Sequence, residues 1–417
     1  MKKIIIFILV FILIPLIYAL WPVYQGLAYR GKVPLLGSDF IVWTSEQPSS
    51  SKVYQKSLSD LDSVALTLLK EQQKEVNAPG YTAAVAIDGS LAWAGSVGWA
   101  NIENRKAMAT ETRLRIGSTS KALTSVGLAK LVEEENLSLD TPLREVFDDL
   151  PNPNWGNITA RQLSSHMAGI PHYKENTELL GKLETLAAQT HFANVEDALT
   201  LFDESDVLFK PGEKFSYSSL GTVVLSALMQ RAAGTSYQEL MYNKVFTPLE
   251  MNATGTESRA DQAQLATFYW QNSEQKSELK PWYELDLSHR LAGGGWVSTS
   301  KDLAKLGQAF LNDDFIPEVI RAEFWTPQQL NNGEVNEQKY GIGWRIHPLN
   351  LGEGFKPLTY MHHGGVSAGA QSFLMVIPEY NMSIAVNANI RTKVFWDFGS
   401  VSHDLARLFI SRLEQRN

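Results

Sequence analysis

Residues 115–121 read Arg115-Ile116-Gly117-Ser118-Thr119-Ser120-Lys121 and run directly into Ala122 to Leu137, a stretch that reads as a helix. A glycine turn feeding a helix puts Ser118 at the helix start and Lys121 one turn on, on the same face. A serine hydroxyl is a weak nucleophile until a neighbouring base takes its proton, and a lysine amine serves once burial or nearby positive charge lowers its pKa. The helix N-terminus also directs free backbone N–H groups at developing negative charge. The tetrapeptide Ser-x-x-Lys alone decides little, because it starts at Ser49, Ser118, Ser273, Ser277 and Ser298. What separates Ser118 is the turn glycine before it and the clear helix after it.

Two further motifs lie downstream. In Phe215-Ser216-Tyr217-Ser218-Ser219-Leu220-Gly221, Tyr217 is the only tyrosine with Ser or Asn two residues later. A phenol beside a lysine can relay protons, and Ser219 offers a substrate a hydroxyl. The plainer reading is a helix N-cap, which serine favours. In Met361-His362-His363-Gly364-Gly365-Val366-Ser367-Ala368-Gly369, the glycines allow close approach to the backbone and a histidine can donate to a substrate oxygen. A turn or a two-histidine metal site are the alternatives. Neighbouring strand side chains point to opposite faces, and no Asp/Glu/His cluster has metal spacing, so a metal is disfavoured.

Around these motifs, Tyr81 to Ile87 and Leu91 to Val97, joined by Asp88-Gly89-Ser90, read as a β-hairpin. A second strand pair, Phe373 to Ile377 and Met382 to Val386, lies near the end, followed by a helix from Ser402 to Leu413. A helix is expected from Leu58 to about Val76, and Gly212 to Ala232 begins as a loop that turns helical at Leu220. Strands at both ends with mostly helical sequence between them predict an α+β fold, one antiparallel sheet assembled from both ends. Hydrophobic residues make up 44% of the 417 and charged residues 20%, which excludes a disordered or fibrous chain. The net charge of −8 argues against nucleic-acid binding, and the absence of cysteine excludes disulfides, Cys-ligated zinc and a thiol nucleophile.

Lys2 and Lys3 precede an uncharged run from Ile4 to Tyr29, long enough to span a bilayer and longer than a cleaved signal usually requires. The expectation is a transmembrane anchor over residues 1–29, with a cleaved signal as the alternative. Residues 30–56 read as a tether and residues 57–417 as the catalytic domain. The lysines place the N-terminus inside, which makes the protein a single-pass inner-membrane protein facing the periplasm or cell exterior.

In this order the three motifs resemble those of the serine β-lactamase and penicillin-recognising hydrolase family, which includes class C β-lactamases, DD-peptidases, D-aminopeptidases and class VIII-type esterases. Supporting stretches are Ile158 to Pro171, Lys210-Pro211-Gly212, Gly293 to Leu303 and Tyr340 to Trp344. Arg161 to Tyr173 and the Tyr-Ser-Ser form resemble most the mitochondrial serine β-lactamase-like branch and its bacterial relatives. The resemblance implies a β-lactamase/transpeptidase-like fold and an acyl-enzyme mechanism without metal or organic cofactor. It makes Ser118 the nucleophile, Lys121 and Tyr217 the general acid/base pair, and Ser219 a substrate contact. The third motif, Lys-Thr-Gly in β-lactamases, fits here as His363-Gly364-Gly365, with His362-His363-Gly364 in reserve. The oxyanion hole then pairs the N–H of Ser118 with that of Val366, or of Gly365 in the other register. A neutral histidine binds a carboxylate less well than lysine, which ranks a peptide or ester substrate above efficient β-lactam hydrolysis. A β-lactamase or DD-carboxypeptidase proper, and a catalytically silent penicillin-recognising module, are the alternatives. His166 and His172 flank a turn and read as structural, while Trp270, Trp282 and Tyr283 are candidates for a pocket lining.

Overall fold

The computed structural model describes residues 2–37, 39–42, 47–257, 263–272 and 278–415, without the side chains of residues 2–12 and 42. Its centre is an antiparallel sheet. Seven strands run through it in chain order as β1 (Ser49–Val53), β2 (Gly80–Ile87), β3 (Ser90–Asn101), β4 (Arg345–Leu349), β5 (Leu358–Ser367), β6 (Ala370–Ile377) and β7 (Met382–Ala388). Their spatial order is β4-β5-β6-β7-β2-β3-β1, and Lys106–Ala107 adds a short partner to β3. The β2–β3 hairpin closes through Asp88 and Gly89, both at left-handed φ (52° and 77°), the conformation a tight hairpin turn needs. The β6–β7 hairpin joins it through β7 against β2, with Val386 opposite Ala83. The two ends of the chain thus build one sheet, as the α+β pattern predicts.

Period-two alternation sends the strand side chains into two separate cores. Ala83, Val85, Ile87, Phe373 and Met375 pack under α2 (Asp62–Val76) and the C-terminal helix Val401–Glu414. Ala84, Ala86, Leu374, Val376 and Ala385 face the helical insertion, which includes α3 (Ser120–Glu133), α4 (Ser219–Ala233) and α5 (Ser300–Ala309). With both faces covered, β2, β6 and β7 are buried along their whole lengths. The Gly117–Thr119 turn sits at the junction of α3 and β5.

Two expectations about the N-terminal region change. Ser49–Val53, inside the stretch expected as a tether, is an edge strand paired to β3, with Ser51 opposite Gly95. The membrane anchor is not upheld: among the described residues no helix is long and apolar enough to cross a membrane. That finding also removes the basis for a single-pass inner-membrane location with an exported domain. The chain is helical over Lys2–Ala28 (α1), and the end of this helix docks on the protein itself. Ala28 and Tyr29 are buried, the Tyr29 hydroxyl donates to Pro281 O (2.9 Å), and Arg30 donates to Leu186 O (3.1 Å). An apolar run reports hydrophobicity alone; the docking contacts lie at its far end, and residues 13–21 of the helix are exposed.

Candidate active site

Ser118 lies in a single 3₁₀ turn, Gly117–Thr119, at the entry to α3. Gly117 has φ of 51°, and a Cβ there would stand 2.6 Å from the Val366 backbone. A Cβ on Gly365 would stand 1.8 Å from the carbonyl oxygen of Ile116. Backbone therefore meets backbone, and the turn is pressed against the free end of β5. From Thr112 to Ala129 every residue is buried except Ser118, which is partly exposed.

Lys121 follows on α3, fully inside. Its Nζ stands 3.4 Å from Ser118 Oγ and donates to Ser219 Oγ (2.9 Å) and Gly293 O (2.7 Å). Burial pushes its pKa down from 10.5 to about 7, and Arg345 and Arg290 push the same way while Tyr173 opposes them. An amine held near 7 exists substantially as free base at neutral pH. The Tyr217 ring lies 4.9 Å below the same Nζ. Burial raises the Tyr217 phenol above its ordinary 10, against the lowering by Arg345 and by hydrogen bonds to Ser118 and Ser219. At neutral pH the lysine can therefore accept a proton while the phenol retains one.

A splint holds the Tyr217 segment in place. Ser216 N donates to His166 O (2.9 Å), Ser218 N to His166 Nδ1 (3.3 Å) and Ser219 N to His172 Nδ1 (3.1 Å). Both rings must be neutral to accept, and burial lowers both pKa values, that of His172 to about 4. Ser218 caps α4 by accepting from Gly221 N (2.9 Å), while its neighbour Ser219 faces Lys121. The N-cap of α4 is thus Ser218, and the adjacent Ser219 is the residue beside Lys121.

On β5 the alternation places His362, Gly364 and Val366 along a cavity of about 400 Å³ that also opens on Ser118 and Tyr217. His363 points the other way. It is wholly buried, 2.8 Å from the Tyr340 hydroxyl through Nε2 and 2.9 Å from Gly364 O through Nδ1. Nδ1–H donates to the carbonyl, so Tyr340 donates to Nε2, and neither nitrogen is left for substrate. Burial first, and then Arg345 and Lys121, hold His363 neutral. The preference for His363 as a substrate contact is therefore corrected: the histidine on the cavity wall is His362, whose Nε2 is 2.9 Å from His347 Nδ1.

Arg345 also borders the cavity, outside the three sequence motifs. On β4, opposite His362, its guanidinium lies 5.3 Å over the Tyr217 ring and 5.1 Å over Tyr340. Among the described residues it bonds only to the neutral Gln338 Oε1 (3.0 and 3.2 Å). The one signal in the sequence is its place directly after Tyr340 to Trp344. Trp270, Trp282 and Tyr283 line other cavities, Trp282 and Tyr283 one of about 770 Å³ and Trp270 and Trp282 one of about 520 Å³; Trp282 and Tyr283 pack on Tyr29 (4.9 and 5.4 Å), and Trp270 on Phe40 (6.0 Å). The aromatic wall of the cavity is instead Phe373, Phe395 and Trp396. Of the other Ser-x-x-Lys matches, Ser298 is bonded to Thr254 (2.7 Å) and Lys301 to Glu111 (2.6 Å). Ser49 lies in β1, and Ser273 and Ser277 fall outside the described residues.

The Beta-lactamase family model matches residues 67–398. The mitochondrial serine β-lactamase-like protein LACTB of Homo sapiens is 30% identical over 393 residues, covering 75% of this chain and 71% of that protein. Among solved structures, the octameric penicillin-binding protein homologue from Pyrococcus abyssi superposes with a TM-score of 0.67 at 24% identity, covering 84% of this chain and 77% of that one. The D-amino acid amidase from Ochrobactrum anthropi SV3 complexed with D-phenylalanine gives 0.68 at 20% identity, covering 86% and 100%. The chain belongs to the β-lactamase family, whose fold serves serine hydrolases that act through an acyl-enzyme.

Proposed function

We propose that this β-lactamase-family protein hydrolyses the peptide or ester bond of a small, carboxylate-bearing substrate through an acyl-enzyme on Ser118. The observation that carries the reading is Lys121, a buried amine within reach of the Ser118 hydroxyl, with a pKa near 7 and no carboxylate partner among the described residues. In acylation, Ser118 Oγ attacks the substrate carbonyl carbon as Lys121 takes its proton, and the N–H groups of Ser118 and Val366 receive the oxyanion. Tyr217 gives its proton to the departing nitrogen or oxygen as the C–N or C–O bond breaks, and is reprotonated from Lys121. In deacylation a water attacks the acyl ester, loses its proton to the same pair, and the product acid leaves as Ser118 recovers its hydrogen.

Arg345 supports the carboxylate part of the proposal. His363 is neutral and turned inward, so it cannot replace the lysine cation of the Lys-Thr-Gly motif. A guanidinium on the cavity wall, bonded only to a neutral amide among the described residues, supplies that charge in a geometry suited to a bidentate carboxylate. Intact-mass analysis with a fluorophosphonate and, separately, benzylpenicillin tests the reading. A fluorophosphonate adduct on the protein that is missing from Ser118→Ala supports it, and absence of any adduct on folded wild type overturns it. A slow benzylpenicillin adduct would place β-lactams among the carboxylates that Arg345 admits.

A further inference from the structure

The cavity that opens on Ser118 has a second half that bond cleavage does not use. The segment after β7 folds back across the sheet and sets Phe395 and Trp396 beside Phe373, with ring centroids 5.5 to 6.0 Å apart and near edge-to-face angles of 65°, 72° and 83°. Phe373 is wholly buried and Phe395 half-buried, while Trp396 leaves 46% of its surface exposed. A large ring braced on two others and still open to solvent is rigid apolar surface ready for a ligand. Gly364 makes the arrangement possible. A Cβ at this position would stand 2.4 Å from the Phe395 ring, so only glycine lets the ring lie directly on the strand that borders Ser118.

We propose that Phe395 and Trp396 form the leaving-group subsite, which selects substrates whose departing part carries an aromatic or large aliphatic side chain next to its carboxylate. Such a group is the C-terminal residue of a peptide, or the matching hydroxy acid of an ester. The proposal rests on the acyl-enzyme reading above. The departing group must lie on the side of the acid that protonates it, and Tyr217 lines the same cavity as the aromatic pair. Arg345 lies over the Tyr217 ring on that side too, so one ligand can meet cation and aromatic wall together. A cavity of about 400 Å³ holds one amino-acid-sized group with its side chain. Glycyl leaving groups would reach Arg345 and leave the wall wet.

The test uses the full-length chain with hippuryl-phenylalanine and hippuryl-glycine, the former in both enantiomers, and the corresponding phenyllactate and glycolate esters. The expected result is a kcat/KM advantage of roughly 10- to 100-fold for the aromatic leaving group in one enantiomeric series, as burial of one side chain in a preformed pocket provides. Trp396→Ala removes most of that advantage through KM for the aromatic substrate. Phe395→Leu, a milder change, reduces it in the same sense. A ratio near one in the wild type, or a ratio unchanged in both variants, overturns the proposal. Binding is read separately on Ser118→Ala, as the change in tryptophan fluorescence on adding hippuryl-phenylalanine, with and without Trp396→Phe. No Trp396-dependent change overturns the subsite. A Trp396-dependent change without fluorophosphonate labelling of wild type keeps the subsite and removes the acyl-enzyme reading.

Discussion

Arg345→Gln takes a cation away from Lys121 without touching the lysine or the serine. Both cations are ranged on the Tyr217 ring, Lys121 Nζ at 4.9 Å and the Arg345 guanidinium carbon at 5.3 Å from its centroid, so end to end they stand within about 10 Å. Two unit charges about 10 Å apart repel by about 1.7 kcal/mol at an effective dielectric of about 20, and by about half that at 40. The repulsion works against the protonated lysine, in keeping with Arg345 lowering its pKa. Removing Arg345 therefore raises the Lys121 pKa by about 0.6–1.2, the lower end being favoured because Arg345 is partly exposed. Labelling of Ser118 by an uncharged fluorophosphonate, followed from pH 5 to 9, reads this directly. Lys121 is the base only when deprotonated, so the wild-type rate rises through a midpoint near pH 7 and then levels. In Arg345→Gln the midpoint moves to higher pH. An uncharged probe keeps lost carboxylate binding out of the result. A midpoint within about 0.2 unit of wild type, or a shift to lower pH, would refute either the role of Lys121 as base or its coupling to Arg345.

Two further outcomes follow from the same geometry. Tyr217→Phe should slow hydrolysis of an alkyl ester by about 100- to 10,000-fold and that of a p-nitrophenyl ester by less, because p-nitrophenolate leaves without a proton; equal losses count against Tyr217 as the acid. Glu257→Gln breaks the paired contacts of Arg115 Nε and its second terminal nitrogen with the carboxylate (2.6 and 2.7 Å). It leaves a cation that is only 4% exposed, so urea unfolding should show a loss of about 3 kcal/mol, and a loss under about 1 kcal/mol would mean that the buried pair contributes no more than a surface one.

Much of the site was legible because its chemistry is local. Ser118 and Lys121 need only one turn between them, and the flanking Gly117 and helix distinguish them from the other matches. Tyr217 stands out by the Ser two residues later. The hairpin at Asp88-Gly89 is equally local, since positive φ at both residues is written in their identities. The choice between His362 and His363 was not legible. Adjacent strand residues face opposite sides, and which side borders Ser118 depends on β5 meeting the turn at Gly117, across some 250 positions of chain. Arg345 was invisible for a similar reason: a lone arginine in a strand is ordinary until β4 pairs with β5 and brings it over Tyr217.

By itself the sequence determined the α+β class and the family, and it singled out the serine, lysine and tyrosine of the proposed reaction, because each rests on spacing within one element or on motif order. The tertiary structure alone decided which histidine turns to the cavity, which arginine reaches the Tyr217 ring, and which aromatic rings form the wall. It also decided that the end of the N-terminal helix docks on the protein's own surface. All four depend on contacts between segments remote in the chain, where strand register and covering surface have no local code.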